Sequence, residues 1–199
     1  LDVALDSPAR PCIAVLGGIK VDDSIEVALN MMNNNIADEV WLTGGVANLA
    51  IHLSGNNIGE GNVEFLKNEL KDAWASTVDA AKSLLATYAD KIVLPVDVAA
   101  NVEGNRIDMS VEDLPIHAPI FDLGLQSIRA LSIRIKEAGT IILNGPAGVF
   151  ELPDFALGTI EMLNACAETT GYALMGGGHT ATLVSKRGIG DKMGHVSTG

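Results

Sequence analysis

The sequence predicts an α/β fold, three layers deep, in which a doubly wound and mainly parallel sheet is covered by helices on both faces. Two observations carry that expectation. Short apolar runs of strand length alternate along the chain with segments whose apolar residues recur at spacings of three and four, the pattern of repeated strand–helix units. Four strand ends also carry glycine clusters: Gly17-Gly18, Gly44-Gly45, Gly145 with Gly148, and Gly176-Gly177-Gly178. In a parallel sheet such ends fall on one edge, the edge where ligands bind.

Taken in order, Leu1, Ala4 and Leu5 read as the tail of an amphipathic helix, and Pro8 and Pro11 bracket a stiff connector. Residues 11–16 form the first expected strand. A helix follows with its apolar stripe at Val21, Ile25, Ala28, Leu29 and Met32; Asp22 or Asp23 is expected to cap it. Residues 39–43 form the second strand, 46–53 a short helix, and 62–88 one long helix whose stripe runs from Leu66 to Tyr88. Residues 91–95 form the third strand. A small hairpin decoration then pairs 98–101 with 107–111 around Glu103-Gly104-Asn105. Residues 121–124 lead into a helix carrying Leu125, Ile128, Leu131 and Ile135. The fourth strand, 140–143, precedes a helix over 155–168. The fifth, 172–175, precedes a helix running to about Lys186, and 195–199 is a last extended piece. No internal repeat interrupts this order, so the expected architecture is a single Rossmann-like domain.

Composition narrows the possible partners. The chain has 199 residues, 48% of them hydrophobic, and 21 glycines, enough for a sizeable core with many tight turns. Its net charge is −12, from 13 basic and 25 acidic side chains. That disfavours nucleic acid and anionic membranes, which need a basic face. The two cysteines, Cys12 and Cys166, stand in apolar surroundings and read as reduced, buried thiols, which suits the cytoplasm. No apolar run approaches the length of a membrane span, and no signal peptide opens the chain.

A single strand–Gly-Gly–helix junction is explained about equally by packing and by function, because glycine also lets a helix start close to a sheet. Four on one edge favour function. Their amides and the following helix ends suit a flat base and a phosphate chain. Lys20 is the only basic residue inside the clusters; a cation near a helix start is mildly unfavourable, which points toward phosphate. No G-x-x-x-x-G-K-[ST] is present, so the site is not a Walker P-loop. No G-x-G-x-x-G follows a strand, although Asp38 lies ~20 residues after Gly17, the spacing of a ribose-binding acid. The histidines form no metal-ligand pair or cluster, and His52 and His117 read as structural. His179 stands at a helix start, where phosphate binding and simple capping are both open. Asp97 and Asp122 lie near strand ends and could serve metal, ribose or a turn.

These motifs together resemble a known family. Leu16-Gly17-Gly18-Ile19-Lys20-Val21, Leu94-Pro95-Val96-Asp97, Asn144-Gly145-Pro146-Ala147-Gly148-Val149-Phe150-Glu151, Gly176-Gly177-Gly178 and His195-Val196-Ser197-Thr198-Gly199 follow the order seen in phosphoglycerate kinases. The chain is similar to their carboxyl-terminal, nucleotide-binding half over nearly its whole length, with Gly-His-Thr closest to an archaeal branch. The resemblance implies reversible phosphoryl transfer between ATP and 3-phosphoglycerate in glycolysis, with Mg2+ accompanying ATP or ADP. It implies that residues 1–10 end an interdomain connector, that 11–199 form the nucleotide domain, and that the substrate domain is absent. By the same resemblance Lys20 stabilises the transferring phosphoryl group, and Gly18, Gly44, Gly45, Phe121, Pro146 and Val149 flank the base. Asn144 faces the phosphates, Glu151 takes the ribose, and Gly177, Gly178, His179 and Thr180 offer a helix start.

Three departures stand out. Ser24 replaces a common second lysine, His179 replaces the aspartate that usually holds magnesium, and Ile120-Phe121 makes the base-side wall bulkier. The metal ligand is therefore left open. Nor does anything replace the arginine-rich phosphoglycerate site, since Arg10, Arg106, Arg129, Arg134 and Arg187 lie outside the glycine clusters. An isolated chain of this kind is expected to bind nucleotide without turnover. The alternatives are a nicotinamide-dependent dehydrogenase domain, disfavoured by the missing G-x-G-x-x-G, and a non-catalytic nucleotide-binding or assembly module.

Overall fold

The computed structural model describes residues 6–178 together with 181, 188, 190 and 194–196. The helix tail expected over residues 1–5, most of the helix expected to Lys186, and both His179 and Thr180 lie outside the described residues.

Among the described residues six strands form one parallel sheet: β1 (Cys12–Leu16), β2 (Glu39–Leu42), β3 (Ile92–Val93), β7 (Thr140–Asn144), β8 (Tyr172–Gly176) and β9 (His195–Val196). Their spatial order is β3-β2-β1-β7-β8-β9. Sequence order thus runs one way from β1 and the other way from β7, so the topological switch point lies between those two central strands.

Why β1 occupies the centre follows from its sequence. All five residues, Cys12-Ile13-Ala14-Val15-Leu16, are apolar, and none retains accessible surface. Cys12, Ala14 and Leu16 join a core shared with helices α1 (Val21–Asn33), α2 (Gly44–Leu53), α3 (Glu60–Leu70) and α4 (Trp74–Thr87). Ile13 and Val15 point the other way, into a second core with α5 (Leu125–Glu137) and α6 (Leu157–Glu168). Alternation along an entirely apolar strand is what a sheet buried on both faces requires, and the expected three layers result.

A second sheet, β5-β4-β6, is antiparallel and contains β4 (Asp97–Val102), β5 (Asn105–Ser110) and β6 (Ile120–Leu123). The expected hairpin is therefore present, but it is larger than a decoration. Residues 120–123, expected only to lead into a helix, pair with the inner edge of β4 across an irregularity at Ala99/Ala100. Asp122 interrupts this four-residue run, which therefore gives neither a continuous apolar stretch nor a full period.

Other boundaries also shift. The single helix expected over 62–88 is two helices, because Lys71 adopts φ 51° and cannot continue the α-helix. Periodicity misses the break because Leu66 and Leu70 before it and Ala81 and Leu84 after it face the same core. The second helix begins at Gly44, so Gly44 and Gly45 are its first residues. The expected caps of α1 are not caps: the N-cap residue is Lys20, and Asp22 and Asp23 lie exposed in the first turn. There they complement the helix dipole. A short 3-10 turn over Pro153–Phe155 precedes α6, which starts at Leu157.

Candidate functional site at the switch point

Strand register places the glycine clusters side by side. Leu16 at the end of β1 pairs with Leu42 of β2 and Asn144 of β7, and Asn144 pairs with Gly176 of β8. The loops leaving these four strands open together into one cleft of about 1520 Å³. It is lined by Gly18, Lys20, Gly44, Gly45, Phe121, Asn144, Pro146, Val149, Glu151, Gly177 and Gly178. Every site residue named from the sequence and described in the structure is on its surface.

The glycines interlock the loops rather than baring amides. Gly17 N–H donates to Asn144 O at 2.8 Å, Gly18 N–H to Pro146 O at 2.9 Å, and Gly45 N–H to Gly18 O at 3.0 Å. A Cβ on Gly17 would stand 2.3 Å from Thr43 Oγ1 and 2.4 Å from Pro146 O. A Cβ on Gly145, which has φ 86°, would stand 2.6 Å from Gly17 O. The expectation that amides in the first two clusters face a ligand is thus corrected for Gly17, Gly18 and Gly45. Their backbone contacts serve close approach between the β1, β2 and β7 loops.

Lys20 stands exposed at the N-cap of α1 and is the only lysine or arginine among the described residues lining the cleft. Ser24, one turn further on, is buried and its Oγ donates to Gly17 O at 3.4 Å, so this position braces the loop. The Phe121 ring meets Phe155 edge to face at 5.4 Å, and its carbonyl accepts from Val149 N–H at 2.8 Å. Glu151 is exposed at the rim.

Two carboxylates left open by the sequence have defined roles. Asp97 accepts from the N–H groups of Gln126 and Ser127, each at 2.9 Å, and so caps α5 from a distant strand. Formally Gly124 is the N-cap, and it has no side chain to do this. Asp122, whose side chain is fully enclosed, accepts from Arg106 at 2.8 Å, Leu123 N–H at 2.8 Å and Gly158 N–H at 3.0 Å. Burial pushes its carboxyl up, against the opposing pull of Arg106 and those amides. Neither aspartate is a free ligand for metal or ribose.

Sequence reading overlooked one wall. Helix α3 contributes Glu60, Glu64, Phe65 and Glu69, and the exposed loop residue His117 lines the cleft beside it. Phe65 is 48% exposed on an otherwise polar face, and that isolated aromatic was the available signal. His117 is therefore a cleft residue rather than a structural one. His52 is structural: its Nδ1 accepts from Ile58 N–H at 3.4 Å, and burial, followed by Lys67, holds its pKa down.

Among the described residues, no group of three or more His, Cys, Asp or Glu side chains converges as metal ligands would. Cys12 and Cys166 are free and buried, their pKa values pushed up to about 11 and about 12 by burial, and so are poor nucleophiles. No helix among the described residues is long and apolar enough to cross a membrane.

Comparison with known proteins gives these features a context. The family model described as phosphoglycerate kinase matches residues 1–199. The phosphoglycerate kinase of Methanothermobacter thermautotrophicus is 44% identical over 199 residues, covering 100% of this chain and 47% of the relative. That of Methanothermus fervidus is 41% identical over 190 residues, 96% of this chain and 45% of the relative. Among solved structures, phosphoglycerate kinase from Pyrococcus horikoshii superposes with a TM-score of 0.88 at 34% identity, covering 98% of this chain and 48% of that one. The enzyme from Coxiella burnetii gives a TM-score of 0.79 at 30% identity, covering 99% and 50%. The chain spans about half the length of the curated relatives it matches. A match along every residue, a shared fold and a glycine-lined cleft at the switch point agree: this chain belongs to the phosphoglycerate kinase family.

Proposed function

We propose that the chain is the nucleotide-binding half of a phosphoglycerate kinase that works with a substrate-binding half to transfer a phosphoryl group reversibly between ATP and 3-phosphoglycerate. Residues 11–199 would form the nucleotide domain and residues 1–10 the end of the connector. The observation that carries this reading is the position of Lys20: one cation, alone among the described residues of a cleft at the switch point of a chain in this family.

In this reading Gly18, Gly44, Gly45, Phe121, Pro146 and Val149 flank the base. Glu151 accepts from the ribose hydroxyls. Asn144, with Gly177, Gly178, His179 and Thr180, receives the phosphates. Lys20 stands where negative charge accumulates during transfer. Phosphoryl transfer needs little covalent help from the protein, so alignment and preorganised charge lower the barrier. Magnesium would arrive on the phosphates and keep much of its water. When bound, magnesium offsets phosphate charge; this chain's residues orient the chain of phosphates.

The net charge of −12 suits one half of a split design whose phosphoglycerate site, and its basic residues, lie in the other half. The chain alone would then bind nucleotide without turnover. The two buried thiols accord with a reducing cytoplasm. Calorimetric titration with Mg-ADP tests the reading: saturable binding is expected, and no heat of binding at millimolar nucleotide would overturn it. Substantial kinase activity from the chain by itself would overturn the split site.

A further inference from the structure

Behind the wall formed by Phe121, Gly148 and Val149 lies a charged cluster gathered from the antiparallel sheet and the 3-10 turn before α6. Arg106 on β5 is its hub. Nε donates to Asp108 Oδ1 at 2.8 Å, Nη1 to Asp122 Oδ2 at 2.8 Å and Asp154 O at 2.9 Å, and Nη2 to Leu123 O at 2.7 Å and Asp108 Oδ2 at 3.5 Å. A guanidinium has five N–H donors, and these five bonds match them. Its carbon also lies 6.0 Å from the centre of the Phe155 ring, the ring that meets Phe121 edge to face.

The cluster is coupled tightly to the cleft. Asp122 directly follows Phe121, and Phe121 O accepts from Val149 N–H. A Cβ on Gly148 would stand 2.2 Å from Phe121 O and 2.9 Å from Asp122 Oδ1. A Cβ on Gly158 would stand 2.2 Å from the same carboxylate oxygen. With no slack on either side, a displacement of Asp122 must move the strand carrying Phe121 or the turn carrying Val149. Arg106 itself does not line the cleft.

We propose that Arg106 is a positioning residue for the nucleoside-side wall. By gripping Asp122, Leu123 and Asp154 from behind, it sets where Phe121 and Val149 stand, and so sets affinity for the nucleoside without touching the phosphates. This rests on the nucleotide reading above. Lysine cannot replace it, because an ammonium keeps the charge beside Asp122 but cannot hold two carbonyls and two carboxylates in one fork.

The test is calorimetry on the 199-residue chain and its Arg106→Lys variant, each titrated with Mg-ADP and with magnesium tripolyphosphate, which lacks the nucleoside. The expected result is at least a tenfold loss of Mg-ADP affinity, with tripolyphosphate affinity unchanged within twofold. The double variant Arg106→Met with Asp122→Asn removes both charges and is expected to show the same split. Equal losses for both ligands would make Arg106 a general structural residue, and unchanged Mg-ADP affinity in Arg106→Lys would overturn the proposal. Absence of Mg-ADP binding by the unaltered chain would overturn the nucleotide reading and this inference with it.

Discussion

Asp97 and Ser127 cap one another across 30 residues: Ser127 N–H donates to Asp97 Oδ1 at 2.9 Å, while Ser127 Oγ accepts from Asp97 N–H at 3.2 Å and Val96 N–H at 3.0 Å. The pair fastens the start of β4 to the first turn of α5, and Asp97 is only 6% exposed. Asp97→Ala removes a carboxylate cap and is expected to cost about 2 kcal/mol, near the upper range for such caps. Urea denaturation should show the lower midpoint with an unchanged slope. A midpoint equal to that of the unaltered chain would mean that water replaces the carboxylate without loss.

The interlocked loops predict a contrast between two glycines. Gly17→Ala would drive a methyl group into Thr43 Oγ1 and the Pro146 carbonyl, and overpacking of this kind destabilises by roughly 1–3 kcal/mol. Gly176→Ala would meet nothing closer than Asn144 Oδ1 at 3.7 Å and should be tolerated. Thermal melts of the two variants make the comparison. Similar melting temperatures would show that the β1 loop can yield.

Lys20 is expected to act mainly on the transferring group. In an enzyme assembled from both halves, Lys20→Ala should lower kcat by roughly 10²–10³, the range for loss of one preorganised charge-stabilising donor. Mg-ADP affinity of the chain should fall far less. Steady-state kinetics alongside calorimetry separate the two effects, and equal losses would make Lys20 a binding residue only.

Acid stability should depend on Glu39. Arg134 of α5 grips this β2 carboxylate in a fork, Nε to Oε1 at 3.0 Å and Nη2 to Oε2 at 2.8 Å, and Trp41 Nε1 adds a bond at 2.9 Å. Hydrogen bonding to Arg134 holds the Glu39 carboxyl below its ordinary 4.5. With the folded value depressed, the pair's contribution is full above the unfolded value and disappears as pH falls through the folded one. Glu39→Gln should therefore flatten the loss of stability below about pH 4.5. Urea midpoints measured at pH 7 and pH 3 would show it; parallel losses in both proteins would rule out this pair as the source.

How far the sequence reaches is clear from particular elements. The run 12–16 announced a strand buried on both faces because every residue in it is apolar, and the stripe Val21, Ile25, Ala28 announced α1 because its period matches the helix. The break at Lys71 left no mark, since the apolar stripe continues through it. Strand β6 left none either, because Ile120-Phe121-Asp122-Leu123 acquires its pairing only from the edge of β4 that β5 leaves open. The cleft's glycine ends were legible as local motifs, whereas the α3 wall was not: Glu64 and Phe65 come to the cleft through the path of the chain.

The sequence by itself determined most of the strands and helices, which strand ends carry glycine, and that Lys20 is the only cation among those ends. These depend on local periodicity and residue type. Only the tertiary structure decided that β1 and β7 are neighbours, and therefore that four loops share one cleft at the switch point. It also decided the roles of Asp97, Asp122 and Arg106. A carboxylate becomes a helix cap, and a guanidinium becomes a brace, through partners that meet it only when distant strands are brought into contact.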